Sequence, residues 1–111
     1  MNTEIFVHLF HVLIIGTLFL YVGITKDKIP SLMYPFLFAL GIFIMIYHIY
    51  KVYNYIQEGK PYWVNLIHIL LVGPLLIYIG YNRENTSRRY YEMLLMLGFA
   101  SIGYHGYYIV V

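Results

Sequence analysis

Four histidines, His11, His48, His68 and His105, lie inside or at the edge of long apolar runs, and they come in equal steps. His11 precedes His68 by 57 residues, and His48 precedes His105 by the same 57. An ionisable side chain in such a run faces a partner, a cavity or a cofactor, because leaving it in hydrocarbon is costly. Neutral imidazole is the commonest nitrogen ligand for transition metals and the usual axial ligand of haem. Two of the four are expected to clamp one haem b iron, or all four to form a nitrogen-rich copper or zinc site. Tyr21, Tyr47, Tyr78, Tyr104 and Ser101 would then supply hydrogen bonds around the ligands. A thiolate site, a disulfide and a cysteine nucleophile are excluded, since the chain has no cysteine.

The elements that must position these residues are long and apolar. The chain has 111 residues, of which 61% are hydrophobic and 11% charged, and its mean hydropathy is +0.70. A soluble domain carries about 25% charged residues, so this composition belongs to an integral membrane protein. Apolar runs cover residues 5–24, 32–50, 63–81 and 91–111. About 20 residues make a helix of about 30 Å, which matches a hydrocarbon core. The stretch Thr25-Lys26-Asp27-Lys28 ends the first run, and Gln57-Glu58-Gly59-Lys60-Pro61 ends the helical tail of the second. Asn82 to Arg89 separates the third from the fourth, and Pro74 is expected to kink the third.

The offset of 57 residues extends well beyond the histidines. It carries Gly16, Tyr21 and Gly23 onto Gly73, Tyr78 and Gly80 without a gap. It also carries Lys26-Asp27 onto Arg83-Glu84, Tyr34 onto Tyr91, Gly41 onto Gly98, and Tyr47 and Tyr50 onto Tyr104 and Tyr107. Chance alignment of apolar segments rarely matches His, Gly and Tyr together, so the pattern reads as a tandem duplication. The fold expected is an all-α, integral membrane four-helix bundle in a single domain, 1–111. Its repeats, about 5–57 and 62–111, are two parallel helical hairpins with pseudo-two-fold symmetry along the membrane normal. The paired glycines are expected to let helices approach closely.

His11 falls about 9 Å inside the start of the first helix, and His48 about 5–8 Å before the end of the second. The repeat places His68 and His105 correspondingly, so four imidazoles are expected in one layer. His48 shares a helical face with Gly41, Ile44 and Met45, and His105 shares one with Gly98, Ser101 and Ile102. His8 maps onto Asn65 and reads as a polar residue of the membrane boundary.

Lys26, Lys28, Arg83, Arg88 and Arg89 lie in the loops 25–31 and 82–90, against Lys51 and Lys60 elsewhere. The positive-inside rule puts those loops in the cytoplasm and both termini on the other side. Trp63 with Tyr50, Tyr53, Tyr55, Tyr62, Tyr107 and Tyr108 would form the aromatic belt there. A net charge of +2 gives no stripe for nucleic acid. The carboxylates, Glu4, Asp27, Glu58, Glu84 and Glu92, all sit at helix ends or loops, so neither a paired-carboxylate enzyme nor a carboxylate-coupled transporter is expected. Three functions suit what remains: electron transfer on a haem or metal, a structural or assembly subunit of a membrane complex or viral membrane, and a small proton or cation channel or transporter. The partners expected are the lipid bilayer, further copies of the chain or a larger membrane complex.

Overall fold

The computed structural model describes residues 3–111, and among them every regular element is a helix. In chain order these are α1 (Thr3–Phe10), a π-helical stretch His11–Gly16, and α2 (Thr17–Thr25). Then follow α3 (Met33–Glu58), α4 (Trp63–Ile67), a π-helical stretch His68–Val72, α5 (Gly73–Asn82) and α6 (Arg88–Val110). Four continuous helical segments, Glu4–Lys28, Met33–Glu58, Trp63–Asn85 and Arg88–Val110, are long and apolar enough to cross a membrane. Large apolar side chains such as Ile14, Phe43, Leu70 and Met96 are exposed along them.

The helix ends follow from local chemistry. Gly59 takes φ 69° after α3, a left-handed conformation open to glycine without a Cβ penalty. Its N–H donates to Ile56 at 3.3 Å and that of Lys60 to Tyr55 at 2.9 Å, a Schellman closure of the last carbonyls. The other two stops lack a glycine. Lys26 (φ 57°, ψ −130°) ends α2, and Arg83 (φ 53°, ψ −131°) ends α5, each opening a single 3₁₀ turn. An L-residue in that region is strained by about 1–3 kcal/mol.

Pro74 was expected to bend the third span. It stands at the second residue of α5, directly after the π-helical stretch and inside the continuous segment Trp63–Asn85. The first span has a π-helical stretch at the matching place with Thr17 where the third has Pro74, so proline is not what widens the helix.

The chain divides into two compact units. The central unit is Pro30–Thr86, in which α5 packs along α3. The terminal unit joins the first segment, up to Ile29, with Ser87–Val111, so that α6 packs on α1, α2 and the π turns between them. Each unit thus takes its two helices from different halves of the chain.

Both units are closed by glycines. In the terminal unit a Cβ on Gly23 would lie 2.6–2.9 Å from the Cβ, Cα and N of Leu95, and one on Gly16 would meet Ile102. In the central unit a Cβ on Gly80 would lie 2.7 Å from Phe38 and from the carbonyl of Tyr34, and one on Gly73 would meet Met45. Gly41 and Gly98 make the reciprocal approaches, to Gly73 and to Phe19 and Leu20. Around these contacts Phe19, Val22, Tyr91 and Leu94 are buried in one unit, and Tyr34, Leu37, Leu76 and Ile79 in the other.

Candidate functional site

In the terminal unit the first π turn begins at His11. The ring Nδ1–H of His11 donates to the carbonyl of Val7, one turn back, at 2.8 Å. That bond fixes the neutral tautomer, with the lone pair on Nε2. The His11 ring stacks on His105 of α6, with centroids 4.1 Å apart and planes 23° from parallel. His105 is buried, and its Nδ1 lies 2.7 Å from Nδ1 of His8. One of those two rings therefore donates its N–H and the other accepts. His8 in turn stacks on Tyr108 (5.5 Å, 15°), and Tyr104 stands edge-on to His105 at 5.0 Å. Ser101 lies one turn before His105, and its hydroxyl oxygen is buried without a hydrogen-bond partner.

The central unit repeats most of this. His68 opens its π turn and donates Nδ1–H to Val64 at 2.8 Å. Its ring stacks on His48 of α3, with centroids 4.0 Å apart and planes 17° from parallel. His48 donates Nδ1–H to Oδ1 of the buried Asn65 at 2.7 Å. Tyr47 is edge-on to His48 at 5.1 Å. One turn before His48, where the terminal unit has Ser101, stands buried Ile44.

All four expected histidines therefore lie against the opposite helix of their own unit, His11 with His105 and His48 with His68. Of the expected surrounding hydroxyls, Tyr47, Tyr104 and Ser101 stand beside or one turn from a histidine. Tyr21 and Tyr78 lie ten residues beyond the histidine of their own span, about 15 Å along a helix. His8, read as a polar residue of the membrane boundary, is a direct partner of His105, and Asn65 is one of His48. The signal for this pair is positional: His8 and Asn65 precede His11 and His68 by three residues each, which puts each pair on one helical face.

Stacking decides what these rings can do together. Axial haem ligation needs two nitrogens opposed across iron, whereas parallel rings set their nitrogens side by side. Among the described residues no group of three His, Cys, Asp or Glu side chains surrounds a common metal position. The Nδ1–H bonds of His11 and His68 to backbone carbonyls are nevertheless of the kind that orient a ligating Nε2. Two imidazolium charges about 4 Å apart would repel by about 4 kcal/mol at an effective dielectric of 20, so a stacked pair holds one proton more readily than two.

Past the histidines the terminal unit continues through Gly16, Phe19, Val22 and Leu94, and the central unit through Gly73, Leu76, Ile79 and Leu37, all apolar. Compared with protein-family models, curated proteins and solved structures, the chain finds no match in any of the three.

Proposed function

We propose that this chain is an integral membrane protein, built by tandem duplication of a helical hairpin about a pseudo-two-fold axis along the membrane normal, whose histidine pairs take up protons near one membrane face. Both termini lie on the non-cytoplasmic side, with loops 25–31 and 82–90 in the cytoplasm, and the bundle is suited to forming homo-oligomers or joining a larger membrane complex. The observation that carries this reading is the parallel stacking of two imidazoles in each unit, within candidate spans. Such a pair is a one-proton device, and the apolar side chains past it favour proton binding reached from one side over a continuous pore. The test is an acid titration of the protein in nanodiscs, followed by ¹⁵N spectra of its imidazoles. Each stacked pair should acquire one proton as a unit; four histidines charging independently, or none charging, would overturn the reading.

A second reading is favoured by the carbonyl-anchored rings of His11 and His68. On it the stacked histidines of either unit, His11 with His105 or His48 with His68, hold copper or zinc for electron transfer. Stoichiometric metal by elemental analysis, lost on His11→Leu with His68→Leu, would establish it. Colourless, metal-free protein that takes up no proton leaves the structural or assembly role.

A further inference from the structure

The two units match in backbone and in stacking, and they differ at two polar positions on the same layer. His8 stands where the other unit has Asn65, and Ser101 where it has Ile44. The first difference gives the terminal unit an ionisable ring, and the second gives it a hydroxyl.

An imidazole and an amide are unequal partners for a histidine. Asn65 accepts the Nδ1–H of His48 through an amide oxygen, which does not become protonated under ordinary conditions, while its amide N–H groups do not ionise. His48 is thereby held in one tautomer. His8 and His105 meet nitrogen to nitrogen, and either nitrogen can carry the shared proton. A proton arriving at Nε2 of the donor ring lets that ring pass its Nδ1–H across to the acceptor ring. The acceptor ring then releases its own Nε2–H, and both rings finish neutral with their tautomers exchanged. The number of protons is conserved, and no oxidant or further reactant is needed.

We infer that the duplicated layers have divided their roles: His8, His105 and His11 of the terminal unit form the centre where a proton is shared and moved, while Asn65, His48 and His68 form a fixed copy. Ser101 is a positioning residue of the mobile centre. A helical side chain leans over the turn that precedes it, so the His105 ring covers the turn of Ser101. The unpartnered Ser101 hydroxyl turns either its hydrogen or a lone pair to the layer as the charge on the rings changes. Among the described residues the ionisable groups on this layer are His8 and His11 from the first segment and Tyr104, His105 and Tyr108 from α6, with Glu4 one turn before His8. This assignment rests on the proton reading, yet it is tested by the position of a proton at rest rather than by uptake.

The experiment records ¹⁵N imidazole spectra of the full chain in nanodiscs at neutral pH. In the wild-type protein the Nδ1 signals of His8 and His105 should be averaged between the protonated and bare values, and those of His48 and His68 should be fixed as protonated. His8→Asn introduces the residue that the other unit already accommodates. It should convert His105 to the fixed pattern of His48, and Asn65→His should convert His48 to the averaged pattern. Ser101→Ala should leave the sharing at neutral pH intact and slow the exchange of the pair several-fold on acidification. Fixed, separate signals for His8 and His105 in the wild-type protein would overturn the division of roles while leaving one-proton uptake standing. So would an unchanged His105 in the His8→Asn variant. Averaged signals without any uptake on acidification would instead remove the proton reading and keep the shared hydrogen bond.

Discussion

The terminal and central units are two solutions to one packing problem. Each sets a helix with a π turn against a continuous helix, and each seats glycines against the opposite chain. Their apolar interiors correspond position by position, Phe19 and Val22 with Leu76 and Ile79, Tyr91 and Leu94 with Tyr34 and Leu37. The polar layer diverges, with an imidazole partner for the second-helix histidine in one unit and an amide in the other. Close packing constrains every methylene, so an apolar core tolerates little change. A hydrogen bond requires only a donor and an acceptor in place, which leaves its chemistry open to change.

The hardest blow to the comparison is a methyl group at the tightest crossing. Gly23→Ala in the terminal unit and Gly80→Ala in the central unit should each lower stability by about 2–3 kcal/mol, since the obstruction includes backbone atoms. Gly103→Ala, with nothing within 4 Å of its Cβ, should stabilise α6 by a few tenths up to about 1 kcal/mol. Thermal unfolding in detergent reads both, and equal effects of all three would show that the crossings relax.

A smaller effect separates the polar layers. His48→Leu leaves the buried Asn65 amide without its ring partner and should cost about 2 kcal/mol in the same assay. His8→Leu leaves the buried ring of His105 stacked on His11 and should cost about 1 kcal/mol. A reversed order would mean that stacking, rather than hydrogen bonding, holds the layer. Next come the strained stops. Lys26→Gly should stabilise by about 1 kcal/mol by relieving its positive φ. Arg83→Gly should give less, because Arg83 also donates to the carbonyl of Ser31 and lies over the Tyr34 ring. The smallest change belongs to the exposed pair Arg88–Glu92, whose loss should cost no more than about 0.5 kcal/mol and vanish in high salt.

Much of this is legible in the sequence for local reasons. Helix limits follow from apolar length, from Gly59 and from the polar stretches, and the glycines mark the crossings. What the sequence withholds is which helix packs on which within a unit. The matching offset of 57 residues makes His48 and His105 equivalent candidates for a stack on His11, since the helices bearing them share their glycine and tyrosine positions. Residue chemistry cannot choose between near-copies; the backbone's three-dimensional course does, and it joins the first segment with α6. His8 and Asn65 were hidden differently, because unlike side chains fill one hydrogen-bonding role. The π turns carry no composition cue, as Thr17 and Pro74 stand at the same point of the two spans.

That the terminal unit is assembled from the two ends of the chain has a consequence for biosynthesis. On the ribosome α3 can meet α5 once α5 has emerged, whereas the segment up to Ile29 must wait until α6 has been translated. Maturation therefore proceeds from the middle outward. A chain interrupted before Arg88 would keep a finished centre and an orphaned leading helix whose histidines lack their mates, a ready mark for quality control.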